Sequence, residues 1–203
     1  HAFTQNRWHY NWHWFWDYGS GDLGNDGIHQ LDQARWGLGV TIPNAVVASG
    51  GQYYYDDDHE TPDTQTVIYE YDECQLVFEM RLWTNYKLEG HDNGVVFYGD
   101  NGKVEFGREG SKATFLDGQE KVFGPYADIK DHFRNFLDCV KANDPSGLNS
   151  HIREGAISTT LCHLGNIATR VKRRLVIEPE TWQCVNDPEA TAEVFDGDWF
   201  KTG

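Results

Sequence analysis

The 203-residue sequence predicts an α+β fold built on an antiparallel sheet, and three observations predict it. Strand-like segments follow one another through the middle of the chain, with links too short for the long crossovers that parallel neighbours need. Apolar residues recur at helical spacing on either side of that region. With 39% hydrophobic and 14% aromatic residues, a chain of this length can bury a core. No linker or internal repeat interrupts the pattern, so residues 1–203 read as one α+β domain.

The aromatic stretch from Trp8 to Tyr18 comes first. Residues 24–38 (GNDGIHQLDQARWGL) then place Ile28, Leu31, Arg35 and Leu38 on one helical stripe, and Gly37, Gly39 and Pro43 supply a stop. Strands are expected at 44–49, 64–71, 75–83, 94–99, 103–107, 112–116 and 120–124, joined by turn-forming stretches such as YDEC, GDNG and LDGQ. A second helix over 128–144 sets Ile129, Phe133, Phe136, Leu137 and Val140 on one face. A longer one over 150–173 ends in Arg170, Lys172, Arg173 and Arg174, where cations favour a helix C-terminus. The acidic run from Asp56 to Glu60, with Pro62 just after, reads as a solvated loop.

The net charge is −15, from 32 acidic and 17 basic residues. Phosphate backbones are held by clustered Lys and Arg, so no nucleic-acid partner is expected. No apolar run approaches the length of a membrane span, so no membrane partner is expected either. The four cysteines are widely spaced and read as buried free thiols, with neither a disulfide framework nor a thiolate zinc site. Because the first residue is His1 rather than Met, the chain reads as a piece of a longer protein, and its compartment is left open.

Residues 17–39, DYGSGDLGNDGIHQLDQARWGLG, fit Gly-x-Gly-x-x-Gly at Gly19, Gly21 and Gly24. A dinucleotide loop of that form must follow a buried parallel strand, open a helix and precede an acidic residue about twenty positions on. Only the helix is present. The preceding WHYNWHWFWDY is aromatic and polar rather than a Val/Ile-rich run, and Asp22 would set a carboxylate against the pyrophosphate. These glycines are expected instead to let another segment or a ligand come close to the start of the helix.

That helix carries Asn25, His29 and Asp32 at i, i+4 and i+7, on one stripe. Beside it come Trp8, Tyr10, Trp12, Trp14, Phe15, Trp16 and Tyr18, interleaved with His9 and His13. Rings alternating with hydrogen-bonding groups suit a sugar, whose C–H faces stack on aromatics while its hydroxyls seek polar partners. For Trp12, Trp14 and Trp16 core packing is the alternative. His9 and His13 stand at i, i+4, with His29 a conceivable third metal ligand, but two-histidine spacing alone defines no site and no metal is expected.

The same residues carry a family resemblance. YNWHWFWDYGSGDLGNDGIHQLDQARWGLG resembles a branch of the Gfo/Idh/MocA (glucose–fructose oxidoreductase/inositol dehydrogenase) family with a G-D-L-G-N-x-G-x-H-x-x-D-x-A-R-W segment. DDDHETPDTQTVIYEY, LVFEMRLW, GVVFYGDNGKVEFG, NFLDCVKAND and TLCHLGNIATRVKRRLVIEP agree in order, so the resemblance spans essentially the whole chain. It implies the substrate-binding C-terminal domain, with an open, predominantly antiparallel sheet and helices on one face. NAD or NADP would be bound by a separate N-terminal Rossmann domain, and this chain alone would bind no cofactor. A homo-oligomer through the sheet face is also implied, and Tyr69, Tyr71, Phe78, Met80 and Leu82 alternate as such a face requires.

In the family pattern, the histidine of Asp-x-x-x-His faces the sugar hydroxyl being oxidised. His29 stands at that position, and the resemblance assigns it proton removal as hydride passes to nicotinamide. An unperturbed histidine titrates near 6.5, which suits a base at neutral pH. The aspartate position is Asn25, with Asp26 next to it but about 100° around the helix. A carboxylate can charge-stabilise an imidazolium, whereas an amide only hydrogen-bonds, so Asn25 favours orienting substrate over relaying a proton. Asn25 and Asp26 are expected to hold neighbouring hydroxyls, with Arg7, His9, Trp12 and His13 further around the pocket. Arg35 and Trp36 are read as structural. The expected function is the substrate-binding half of an NAD(P)-dependent sugar or polyol oxidoreductase, inactive without the Rossmann domain. The alternatives are an NAD-retaining glycoside hydrolase or lyase, and a non-catalytic sugar-binding or oligomerisation domain.

Overall fold

A computed structural model describes residues 4–108, 110–124 and 128–195. Two 3-10 turns, Gln5–Arg7 and His9–Trp14, lead into helices α1 (Gly21–Asn25) and α2 (Gly27–Leu38). Strands β1 (Ala45–Gly51), β2 (Thr64–Glu70) and β3 (Gln75–Arg81) follow, then β4 (Gly94–Gly99), β5 (Gly102–Gly107), β6 (Gly110–Phe115) and β7 (Glu120–Val122). Helices α3 (Ile129–Ala142) and α4 (Ile152–Val171), the short strand β8 (Leu175–Val176) and helix α5 (Pro188–Phe195) complete the order.

The class is the expected α+β, and every strand pairing described is antiparallel. The strands form two four-stranded sheets, β3-β2-β1-β8 and β4-β5-β6-β7, where the sequence suggested one. The chain divides correspondingly into two compact units, residues 1–84 with 157–203, and residues 85–156. Among the described residues no helix is long and apolar enough to cross a membrane.

In the first unit the single helix expected over 24–38 breaks at Asp26, between two closely spaced weak helix formers, Gly24 and Gly27. Gly27 lies against the Phe78 ring, where an added Cβ would stand 2.8 Å from Cε2. α2 ends as expected at Gly39, whose backbone takes φ 69° and whose N–H reaches the carbonyls of Arg35 and Trp36.

Register places Val46, Tyr69 and Leu76 side by side, next to the row Ala48, Val67 and Phe78. α4 covers this face. The Tyr69 hydroxyl donates to the Leu161 carbonyl at 2.8 Å, and a Cβ at Gly165 would come within 2.8 Å of both Leu23 and the Tyr69 oxygen. Gln65 Nε2 donates to Thr169 Oγ1 at 2.8 Å, and Asn166 Nδ2 to the Ser20 carbonyl at 2.8 Å. Buried polar groups thus find partners while connecting the sheet, α4 and the entry to α1. Arg35, 3% exposed, donates to Ser158 Oγ at 2.9 Å and to the Val40 carbonyl at 3.2 Å.

The row read from sequence as facing a partner subunit needs correction. Tyr69, Phe78 and Met80 are buried within the chain's own core, on the face that α2 and α4 cover. Period-two alternation identifies a face that becomes buried, but not what buries it. The opposite face carries Val47, Ile68 and Val77 in register, with Val77 57% exposed. The four cysteines are free thiols. Cys162 and Cys184 are buried, Cys74 and Cys139 half-buried, and burial pushes the Cys162 thiol up to about 12.

In the second unit, Phe97 and Phe106 meet edge to face at 5.8 Å on one side of the sheet. The other side carries a nearly buried Glu105, with Lys103 Nζ at 3.4 Å and His91 Nε2 at 3.5 Å. α3 starts under Asp128, whose carboxylate accepts the Lys130 N–H at 3.0 Å, and stops at Asn143 with φ 50°. Its apolar stripe of Ile129, Phe133, Phe136, Leu137 and Val140 forms as the spacing predicts, yet each of the five is more than half exposed.

Candidate functional site

The site grows from the junction of α1 and α2, which two glycines make possible. A Cβ at Gly19 would stand 2.4 Å from His13 Cα, and one at Gly21, where φ is 65°, would stand 2.8 Å from Thr61 Cβ. The aromatic entry and the loop before β2 therefore close directly onto the start of α1. The glycines are consumed by that packing. Every described strand pairing is antiparallel, whereas a dinucleotide loop follows a parallel strand.

Asn25 Nδ2 donates to the Tyr10 hydroxyl oxygen at 2.6 Å, which ties the aromatic entry to the end of α1. With that oxygen accepting, the hydroxyl proton of Tyr10 is available to donate elsewhere, on a side chain 63% exposed. The Asp26 N–H bonds to the Asp22 carbonyl at 2.9 Å, and the Asp26 carbonyl accepts the His29 N–H at 3.0 Å. His29 is exposed on the first turn of α2. The side chains of Tyr10 and Asn25 thereby meet at the end of α1, with Asp26 between the two helices and His29 on the first turn of α2.

Arg7 lies 3.6 Å from the Glu60 carboxylate and 4.5 Å over the Phe15 ring. His9 is exposed with φ 49°, its ring centroid 3.6 Å from that of Trp8. Trp12 is 46% exposed and meets the His13 ring edge-on at 5.8 Å. His13 departs from the expected pocket wall, because its ring is 1% exposed. Its Nδ1 donates to the Tyr10 carbonyl, and Nε2 is buried with no hydrogen-bond partner among the described residues. Burial lowers its pKa, offset only in part by the bond to Tyr10, so the ring is neutral at pH 7. Among the described residues no group of three or more His, Cys, Asp or Glu is placed to hold a metal ion.

Tyr10, Asp22 and Glu60 belong to this neighbourhood although spacing did not single them out as site residues. Glu60 receives the Trp16 N–H on its carboxylate at 2.9 Å and the indole N–H on its carbonyl at 3.1 Å. The acidic run is an exposed loop, as expected, but it is also strapped to the aromatic entry, and Asp58 accepts from Asn6. No local pattern announces a contact 44 residues away in sequence. Asp22 did carry a signal, as a carboxylate set among the glycines. Burial first, and then the charge of Asp26, push it up to about 6.

A carboxyl whose folded pKa is raised binds more protons folded than unfolded, so its contribution to stability falls as pH rises. For Asp22 that window runs from its ordinary 3.8 to about 6. Asp22→Asn is accordingly expected to stabilise the chain by about 1–2 kcal/mol at pH 7.5 and by close to nothing at pH 4, the full shift being reduced because the group is not dry. Urea titrations of both proteins at the two pH values check this, and a gap independent of pH would contradict it.

The chain matches the oxidoreductase family, C-terminal alpha/beta domain, over residues 1–198. A search of curated proteins found no match. Among solved structures it is similar to yvaA of Bacillus subtilis, with TM-score 0.62 and 16% identity over 78% of this chain and 53% of that one. It is similar to an oxidoreductase from Agrobacterium radiobacter in complex with NAD+, L-tartaric acid and magnesium, with TM-score 0.57 and 14% identity over 74% and 47%. It is similar also to the WlbA dehydrogenase from Bordetella pertussis in complex with NADH and UDP-GlcNAcA, with TM-score 0.55 and 15% identity over 77% and 45%. At such identities the likeness is one of fold, and the chain spans about half the length of each of these proteins. The family match over nearly the whole chain, on the α+β architecture just described, shows that the chain belongs to the Gfo/Idh/MocA oxidoreductases as their C-terminal alpha/beta domain.

Proposed function

We propose that this chain is the substrate-binding half of an NAD(P)-dependent oxidoreductase acting on a hydroxyl of a sugar or polyol, with His29 as the proton acceptor. The observation that carries the reading is an exposed histidine at a helix junction already furnished with Asn25, Asp26 and the Tyr10 hydroxyl. Two fold relatives support it, one holding NADH with a sugar nucleotide and the other NAD+ with a hydroxy acid.

Nicotinamide, bound by a separate domain, supplies the hydride acceptor. The described residues supply the rest. The His29 imidazole takes the hydroxyl proton as the C–H bond gives up its hydride. Asn25 spends its N–H on Tyr10, which leaves its carbonyl to accept from a substrate hydroxyl, while Tyr10 donates to another. Asp26 accepts from a third, and Trp12 offers an exposed ring face to the sugar C–H surface. Copies of the chain would pair through the outward row Val47, Ile68 and Val77.

Histidine ring resonances followed by NMR, during titration with myo-inositol, glucose and N-acetylglucosamine, test the site. Those of His29 are expected to shift with at least one of the three. The purified 203-residue chain with NAD+ or NADP+ is expected to form no reduced nucleotide from any of them. Turnover by the chain alone, or His29 signals unmoved by every sugar, would overturn the proposal.

A further inference from the structure

Four large rings stand exposed at the open end of the β1–β2 pair, apart from the junction. Tyr53 is 70% exposed, Tyr54 62%, Tyr55 43% and Trp83 39%. Their backbone is unusually well fixed. The Asp63 carboxylate, on a residue with no exposed surface, accepts the N–H groups of Tyr53, Tyr54 and Tyr55 at 2.8–3.1 Å. The rings are fixed as well. Tyr54 stacks on Trp83 with centroids 5.2 Å apart and planes 17° from parallel. The Trp83 indole donates to Thr64 Oγ1 at 2.9 Å, and the Tyr55 hydroxyl to the Leu82 carbonyl at 3.3 Å.

Sheet register says which side they occupy. Gly51 and Thr64 are cross-strand partners, and their parity is that of Val47 and Ile68, opposite to Val67. Tyr53 lies over Gly51, within 3.2 Å of where a Cβ would be, and Trp83 is bonded to Thr64. The rings therefore sit at the rim of the outward face, whereas α2 packs through Gly27 on Phe78 of the inward face. They are separate from the side on which His29 lies.

We infer that this stacked tyrosine–tryptophan platform is a second carbohydrate-binding site, which holds the pyranose rings of a neutral glycan. Tyr54 stacks on Trp83 and meets Tyr55 edge to face at 5.2 Å, yet stays 62% exposed, which leaves ring surface for a pyranose C–H face. The phenol hydroxyls of Tyr53 and Tyr54 lie within the same exposed rim, where they can meet sugar hydroxyls. Rigid rings lose little conformational freedom on binding, and Asp63 has already ordered the backbone beneath them. Asp56, Asp57 and Asp58 follow directly in the chain and repel uronates, sulfates and phosphates, so the glycan is neutral rather than a polyanion or a sugar nucleotide.

Saturation-transfer NMR with cellohexaose, maltohexaose and chitohexaose, and with polygalacturonate as the acidic arm, tests the inference on the whole chain. Saturation of ring C–H protons is expected for at least one neutral hexasaccharide and not for polygalacturonate. Tyr54→Ala and Trp83→Ala are expected to weaken that binding about tenfold or more, while Tyr54→Phe keeps the ring and the affinity. Phe136→Ala, which removes an exposed ring from α3, is expected to leave the binding unchanged. The inference is overturned by no saturation at about 10 mM, by unchanged affinity in Tyr54→Ala, or by loss of binding in Phe136→Ala. Loss of self-association in Tyr54→Ala and Tyr54→Phe alike, without glycan binding by the parent chain, would instead make the rings a subunit contact and overturn it too.

Discussion

Replacing Asp63 by alanine is expected to lower the unfolding free energy by about 3–4 kcal/mol, a large effect for one side chain at the edge of a sheet. The carboxylate accepts three consecutive backbone N–H groups and the Thr64 hydroxyl, the last at 2.8 Å. Hydrogen bonds to a charged acceptor are the stronger kind, and removing that acceptor leaves several donors without a partner at once. Asp63→Asn keeps one acceptor oxygen but turns an amide N–H toward backbone donors, so about half of that loss is expected. The pH dependence follows from the direction of the Asp63 shift. Burial pushes its pKa up, but the bonds from Thr64 and the three tyrosine amides together hold it below the ordinary 3.8. A depressed carboxylate pKa adds stability that is complete above the unfolded value and is lost as pH falls through the folded one. The difference between parent and Asp63→Ala, measured by urea unfolding, should therefore be full at pH 6 and shrink below pH 4. A difference under 1 kcal/mol at pH 6 would show that water replaces the carboxylate without cost.

The strands were legible because each couples alternation to a turn signal within a few residues, as in GVVFYGDNGKVEFG, where register later pairs Val95 with Phe106. α3 and α4 were legible for the corresponding helical reason. What the pattern could not carry was the identity of the partner surface. Tyr69, Phe78 and Met80 alternate as any buried face does, and only the approach of Gly165 and Gly27 shows that the chain's own helices cover them. The converse holds for α3, whose apolar stripe is as regular as any core face and yet stays exposed. Amphipathicity records that a face avoids water, not which surface it meets. The site followed the same division. Asn25, Asp26 and His29 were proposed from a single helical stretch, and the spacing did not show that the helix breaks at Asp26, which puts Asn25 on α1 and His29 on α2. His13 was misplaced because its burial depends on Gly19 lying against its backbone, and Glu60 was missed because its partners, Arg7 and Trp16, lie in a distant segment.

His29→Ala is expected to lower kcat/KM for hydride transfer by a factor of about 10²–10⁴, measured with NAD(P)+ on a preparation that joins this chain to a dinucleotide-binding domain. Without the imidazole, the hydroxyl proton must leave to water as the hydride departs, and a base held at the helix junction is replaced by one that must be recruited. KM should change little, because Asn25, Asp26 and Tyr10 still hold the neighbouring hydroxyls, and a loss confined to kcat is the signature of an interaction made in the transition state. Tyr10→Phe should behave in the opposite way. It removes a donor that binds substrate in both states and frees Asn25 Nδ2 from its 2.6 Å bond, so KM rises several-fold while kcat holds. His29→Gln separates position from proton transfer, since it keeps a hydrogen-bonding side chain on the same turn but cannot carry the proton. If it turns over like the parent, the base lies elsewhere. The carboxyl of Asp22, with its raised pKa beside Asp26, is then the next group to test.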